Sequence, residues 1–176
     1  MSMRTVVVRV AALALLLALA LVAAITVRTL QRLPDTILYL VRSDATSFTL
    51  EAVSRRLRPE GPLDAARAAV AALAAGPTAA EAARGLTSEV PVATRVRDVQ
   101  REGGLLVVDL DASVLDGGGT ASMVGRLAQL TYTLTQPTGI DVVELRVEGM
   151  ALDAWGGEGI LTAWPWRRPD GGLPRW

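Results

Sequence analysis

Apolar and polar positions along this chain fall into a few distinct rhythms. From Val10 to Val27 there is no charged residue, and Ala, Leu, Val and Ile make up nearly the whole run. A helix rises about 1.5 Å per residue, so such a run nearly spans a hydrocarbon core of roughly 30 Å. It predicts a transmembrane anchor or uncleaved signal over residues 10–30. A cytoplasmic N-terminus at 1–9, with Arg4 and Arg9, precedes it, and a linker at 31–34 follows. A cleaved signal peptide is the competing reading, because Ala18-Leu19-Ala20 has the small-x-small form of a cleavage site. The apolar run exceeds an h-region of about 7–15 residues, which favours the anchor.

Beyond the linker the rhythm shortens. Thr36 to Val41 is an apolar, β-branched and aromatic strand, and Ser43 to Thr46 is a turn. Ser47 to Val53 sets Phe48, Leu50 and Ala52 against Thr49, Glu51 and Val53, a second strand and a hairpin partner for the first. Gly61-Pro62 opens a helix whose stripe is Leu63, Ala66, Val70 and Leu73. Gly76 caps it and Pro77 forbids continuation. Thr78 and Glu81 have capping-box spacing and start a very short helix that Gly85 closes. Thr94 to Arg101 is a polar strand with Val96 facing inward, and Glu102-Gly103-Gly104 turns it into the apolar strand Leu105 to Leu110. Met123, Leu127, Leu130 and Leu134 mark one face of a second long helix. Pro137 and Gly139 stop it. Val143, Leu145 and Val147 then alternate with Glu144, Arg146 and Glu148 in a half-buried strand. The fold class is therefore α+β: a small mixed sheet of about five strands with two main helices packed on it, preceded by one N-terminal transmembrane helix.

Composition narrows the chemistry. The 18 basic and 18 acidic residues balance, so total charge gives no argument for nucleic acid as a partner. There is no Cys and no His, and every basic residue is Arg. That removes disulfides, thiolate nucleophiles, zinc-finger spacing and His-based acid–base catalysis. It also closes a lipoprotein route, which needs a Cys to acylate.

Each remaining candidate for chemistry has a plainer reading beside it. Asp109, Asp111 and Asp116 are the best metal candidates, but the EF-hand spacing is absent and Asp111 and Asp116 suit turn acceptors. Asp116 to Thr120 could hold an anion at a helix start, but no phosphate-loop Lys follows, so a connector with Thr120 or a neighbour as helix cap is preferred. Ser88, Ser113 and Ser122 have no His or Lys to serve as base. Arg55, Arg56 and Arg58 form a basic cluster between Glu51 and Glu60, which reads as a solvated strand end. All four Trp residues lie late in the chain. Trp155, Trp164, Trp166, Arg167 and Arg168 form the candidate interaction surface, since Trp and Arg are enriched at binding hot spots. Folding back of Trp155 and Trp164 over the domain, with Trp166 partly exposed, is the alternative. No catalytic residue, cofactor or metal site is assigned.

The order of these pieces resembles the GerMN domain, known from sporulation and spore-germination proteins and from other bacterial cell-envelope proteins. The resemblance is carried by Leu38-Tyr39-Leu40, by the helix ending Ala71-Ala72-Leu73-Ala74-Ala75-Gly76-Pro77, and by Gly85-Leu86-Thr87-Ser88 leading to Pro91. It continues through Val107-Val108-Asp109-Leu110, Leu130-Thr131-Tyr132-Thr133-Leu134-Thr135 and Val143 to Gly149. It covers a GerMN-like domain at 35–152 and leaves out the N-terminal segment and a Trp/Arg/Pro-rich tail at 153–176. The resemblance implies a secreted or anchored module without known catalytic residues. It also implies self-association or docking to another envelope protein, because the family is similar in fold to ring-building modules of sporulation channels. The expectation is a non-enzymatic, single-pass protein whose C-terminal domain is extracytoplasmic, with secretion after signal cleavage as the alternative location. It is held to the membrane by its N-terminal helix and acts in protein interaction or assembly; binding of a cell-wall or small ligand is the alternative function.

Overall fold

In the computed structural model the described residues are 14–22, 36–43, 47–135, 140, 142–155, 160–161 and 165–168. The chain divides into two units, Met1–Pro34 and Asp35–Trp176. In the first, residues 14–22 form a helix, α1, with Leu15, Leu16, Leu17 and Leu19 exposed. Among the described residues no helix is long and apolar enough to cross a membrane. The rest of the 10–30 segment lies outside them, as do the linker, Pro137, Gly139, Trp164 and Trp176.

The second unit is α+β. Strand β1 (Thr36–Ser43) and strand β2 (Phe48–Arg55) form the expected antiparallel hairpin, paired residue for residue from Thr36↔Arg55 to Ser43↔Phe48. Leu38 through Val41 are all buried, which explains why that run is apolar without alternation. Leu38 and Leu40 join the larger of two apolar clusters, and Tyr39 and Val41 join the smaller. In β2, Leu50 and Val53 are buried and Ala52 is exposed, so the inward set differs from the expected Phe48, Leu50 and Ala52. The two residues face different clusters, and a strand buried on both sides carries no single-face alternation.

Helix α2 (Pro62–Ala75) starts on Pro62 at the first turn and ends at Gly76, whose N–H donates to Leu73 O and whose φ is +81°. Ala66, Ala69, Val70, Leu73 and Ala74 are buried, whereas Leu63 in the first turn stays 38% exposed. The short helix α3 (Ala79–Ala82) has the full capping box: Thr78 Oγ1 accepts from Glu81 N–H, and a Glu81 carboxylate oxygen accepts from Thr78 N–H.

Strand β3 (Leu86–Thr87) pairs briefly with β1 at Val41 and Arg42. Strands β4 (Val96–Glu102) and β5 (Leu105–Leu110) are antiparallel, with a bulge between Val96 and Asp98. The bulge resets the alternation, so Val99 is the buried residue of β4 and Val96 is half-buried. A 3₁₀ turn (Ala112–Leu115) and helix α4 (Thr120–Leu134) cross over to β6 (Val142–Val147), which runs parallel to β5. Val143, Leu145 and Val147 of β6 are buried, as the alternation requires. Strand β7 (Met150–Ala151) pairs antiparallel with one end of β6. Strands β8 (Ala154–Trp155) and β9 (Ile160–Leu161) pair with each other, and β10 (Trp166–Arg167) pairs antiparallel with the other end of β6.

The expected single sheet is thus two main sheets: β2-β1-β3, and β10-β6-β5-β4 with β7 beside β6. The physical reason lies on α4. Tyr39 N–H donates to Thr133 Oγ1 at 3.1 Å, and Gln129 Nε2 donates to Tyr39 O at 3.0 Å. Side chains of α4 therefore occupy the Tyr39 part of the β1 edge and β3 pairs beside it at Val41 and Arg42, so no strand of the other sheet pairs there.

The hairpin end is tied to α3 by charge. Arg55 bonds both carboxylate oxygens of Glu81, and its Nη2 also donates to Gly76 O at 3.2 Å. The Arg55 hydrogen bond is the main cause that lowers the Glu81 carboxyl to about 2 from an ordinary 4.5; burial opposes it, and the bonds to Thr78 assist. The folded chain then holds fewer protons than the unfolded chain between these two values. The stabilisation is complete above about pH 4.5 and is lost as pH falls towards 2. Replacing Glu81 by Gln is expected to cost on the order of 2 kcal/mol at pH 7 and to flatten the loss of stability between pH 5 and pH 2. Urea midpoints across that range check it. Parallel curves for the two proteins would show that this carboxylate carries no such stability.

Candidate functional site

The most convergent polar cluster lies between the end of α2 and the start of α4. It surrounds a recess of about 390 Å³ whose lining includes Gly76, Pro77, Glu89, Asp116, Gly118, Ser122 and Arg126. Ser122 and Arg126 stand one turn apart on α4, so both face the same way. Arg126 is only 3% exposed. Its Nε donates to Glu89 O at 2.7 Å, one terminal nitrogen to Val114 O at 2.6 Å, and the other to Gly117 O at 3.3 Å. Burial pushes the guanidinium pKa down, and the charges of Glu89 and Asp116 oppose that shift. A guanidinium starts so high that it stays charged.

Glu89 links the same cluster to β1. Its carboxylate accepts from Ser122 Oγ at 2.6 Å, and its N–H donates to Gln129 Oε1 at 2.6 Å. Gln129 then reaches Tyr39 O, and Thr133 takes Tyr39 N–H. Ser122, Arg126, Gln129 and Thr133 thus form a polar stripe at helical spacing beside the apolar stripe of Met123, Leu130 and Leu134. Sequence reasoning missed it because only the apolar members were counted. The available signal was the same period, one residue earlier. Gly125 lies within the stripe because α4 runs close to Glu89: a Cβ there would sit 3.2 Å from Glu89 Cγ.

The other candidates do not converge. Asp109 accepts from Gly149 N–H at 2.7 Å. Asp111 accepts from Arg95 N–H at 3.0 Å and from Ser113 Oγ at 2.6 Å. Asp116 lines the recess. Among the described residues no group of three or more acidic side chains is placed to hold a metal ion. Thr120 is the first helical residue, and the residue before it, Gly119, supplies no side-chain cap. Ser88 Oγ accepts from Val90 N–H at 3.3 Å, so each of the three serines has a local partner. Arg55 is engaged by Glu81, and the Arg56 and Arg58 side chains lie at the surface. A second hollow of about 440 Å³ lies between α2 and Val92–Val96. Its rim arginines already donate to main chain, Arg95 to Val92 O and Thr94 O, and Arg67 to Val96 O.

The late Trp/Arg group is spread over different environments. Trp155 is 0% exposed and fills the larger core, so it offers no surface to a partner. Its large apolar area is better buried than solvated, which corrects its place in the candidate interaction surface. Trp166 is half-buried against Tyr132, with ring centroids 5.2 Å apart. Arg168 lies over the rings of Tyr39 and Tyr132 at 5.2 and 5.1 Å, and donates to Tyr39 Oη, Thr135 Oγ1 and Tyr132 O. Arg167 is exposed.

These elements, in this order, define a known class of module. Residues 37–153 match the family model described as "Germane: Sporulation and spore germination". The chain belongs to this family, since the match covers well over half of it. The chain is also similar to the first GerMN domain of the sporulation protein GerM from Bacillus subtilis, with a TM-score of 0.64 and 22% identity over 77% of this chain and 98% of that one. The tandem GerMN domains of the same protein match with a TM-score of 0.61 and 19% identity, over 77% of this chain and 44% of that one. The chain therefore spans less than half of the tandem structure. At such identities the likeness concerns the fold. No match was found among curated proteins.

Proposed function

We propose that this chain is a non-catalytic, membrane-anchored interaction module of the bacterial cell envelope, with its GerMN domain on the extracytoplasmic side. The observation that carries this reading is how the polar groups are used. The donors of Arg126 and the amide of Gln129 end on main-chain groups that hold α4 to its neighbours. A reacting centre needs such groups aimed at an open site instead. The charge-free run from Val10 to Val27 supports anchoring; Arg4 and Arg9 before it are matched by Arg28 and Arg32 after it, and the shortness of the basic N-terminus is what supports its retention in the cytoplasm. The exposed Arg167 and the open side of Trp166 are surface that a partner could use.

Two measurements test the reading. Alkaline extraction of membranes should leave the chain in the pellet, and N-terminal sequencing should begin at residue 1 or 2. A mature chain that begins after Ala20 would replace the anchor by a cleaved signal. Cross-linking in intact cells should join the domain to a defined envelope protein or to a second copy. Recovery of the chain as an uncross-linked monomer would sink the interaction role.

A further inference from the structure

The hollow between α2 and Val92–Val96 holds two polar groups that the fold leaves unserved. It measures about 440 Å³, within the roughly 300–1,000 Å³ of small-ligand pockets. Ala71 and Ala74 of α2 line it together with Val92 and Val96, so its walls are small and apolar. Among the described residues its charged lining is Arg67 and Arg95, with no acid. Arg67 already stands 3.5 Å from Asp98, which leaves Arg95 as the cation to consider.

The segment that carries Arg95 is fixed in place. Thr94 N–H donates to Pro91 O at 3.0 Å, closing a turn that leaves Val92 76% exposed. Arg95 N–H donates to Asp111 Oδ1 at 3.0 Å, and Arg95 Nη1 donates to both Val92 O and Thr94 O at 2.8 Å. Both carbonyls are served by the one nitrogen. The Nε–Nη2 edge of the guanidinium therefore keeps two parallel N–H groups without a bond among the described residues. Such an edge matches a carboxylate, which accepts two parallel hydrogen bonds. The second unserved group is Thr94, which is 1% exposed and whose hydroxyl has no hydrogen-bond partner among the described residues. Native folds rarely bury a hydroxyl unpaired, because it gives up water for nothing. Thr94 lines the hollow, and one staggered rotation about its Cα–Cβ bond moves the hydroxyl to a different position.

We propose that this hollow binds a carboxylate carried on a short aliphatic body, of about the size of a dipeptide. The carboxylate takes the Nε–Nη2 edge of Arg95. The aliphatic part lies against Ala71, Ala74 and Val92, whose small side chains leave it room. The Thr94 hydroxyl, once turned, bonds a polar atom beside the carboxylate. The cationic edge selects the head group, and the apolar walls select the body. A peptide C-terminus and a free branched acid share this chemistry. The site uses none of the Trp166–Arg167 surface offered to a protein partner, so it goes beyond the interaction role and stands or falls apart from it.

Calorimetric titration of the full-length chain in nonionic detergent tests the site, with acetyl-alanyl-alanine for the peptide and isovalerate for the free acid. At least one is expected to bind, and its primary amide about tenfold more weakly, since the amide lacks the charge that the Arg95 edge pairs with. Arg95→Gln is expected to weaken binding of the acid about tenfold and to leave that of the amide unchanged. Ala71→Phe fills the hollow from an exposed position of α2 and is expected to abolish binding with an unchanged melting temperature. Thr94→Val keeps the shape and removes the unpaired hydroxyl. It is expected to melt higher than the parent without ligand and to gain less from ligand. Binding of one compound alone supports the site and names the source of the carboxylate. Failure of both overturns it, as does equal affinity for acid and amide, or parental affinity in Ala71→Phe. A Thr94→Val chain that melts lower and binds like the parent shows a hydroxyl already bonded and overturns its place in the site.

Discussion

Replacing Arg126 by Met is expected to lower folding stability by about 3 kcal/mol. Methionine keeps most of the apolar volume, so little of the loss is packing. The loss comes from three carbonyls, those of Glu89, Val114 and Gly117, whose donors disappear together. A hydrogen bond to a charged group contributes about 1.5–3 kcal/mol, and a buried acceptor left bare costs about 1–3 kcal/mol. Relief from burying the guanidinium offsets part of the sum. Arg126→Lys should recover only a fraction, because an ammonium is a point donor and cannot reach carbonyls spread around a planar fork. Urea denaturation measures both variants. Hydrogen exchange should also quicken first in the segments that Arg126 holds, 88–90 and 114–118. A loss below 1 kcal/mol would mean that water replaces the guanidinium freely and that the site is open.

Trp155→Ala is expected to cost about 3–5 kcal/mol, as for other fully buried aromatic side chains. Trp155 is completely buried among Leu and Val side chains of the larger cluster, just past the last residue of the family match. Its indole nitrogen has no hydrogen-bond partner among the described residues. Trp155→Phe should therefore cost far less, about 1–2 kcal/mol, since it shortens the ring and removes no hydrogen bond. The pair of variants separates packing from polar anchoring. Equal losses would show that the indole N–H is bonded after all. An Ala variant as stable as the parent would show that β8 is not part of the core.

The Arg126 cluster and Trp155 also mark the boundary of what the amino-acid order discloses. The capping box at Thr78–Glu81, the proline start and glycine end of α2, the β1–β2 hairpin and the alternation in β6 were all legible. Each depends on residues a few positions apart, so chain geometry alone sets the outcome. The GerMN resemblance was legible for the same reason, as a series of such local signals at the right spacing, and the family match over 37–153 agrees with it. The bulge in β4 defeated local reading, because one extra residue inverts every side chain after it.

The larger surprises involve distant partners. Tyr39 and Thr133 are 94 positions apart, and Gln129 finds Tyr39 across 90. Nothing in the spacing of Gln129 and Thr133 says that they will serve the edge of β1 and so divide the strands between two sheets. The same holds for Arg168, which reaches Tyr39 across 129 positions and turns a residue of the tail into a clasp. The physical reason is common to all three. Helix and strand periods are properties of the local backbone, and hydrophobic side chains reveal them wherever they fall. A buried polar group must instead be satisfied by whatever the completed fold brings to it. For this chain the sequence sufficed for the class of module and for the apolar character of its N-terminal run. The split of its sheets and the fate of its polar helix face came into view only with the tertiary contacts.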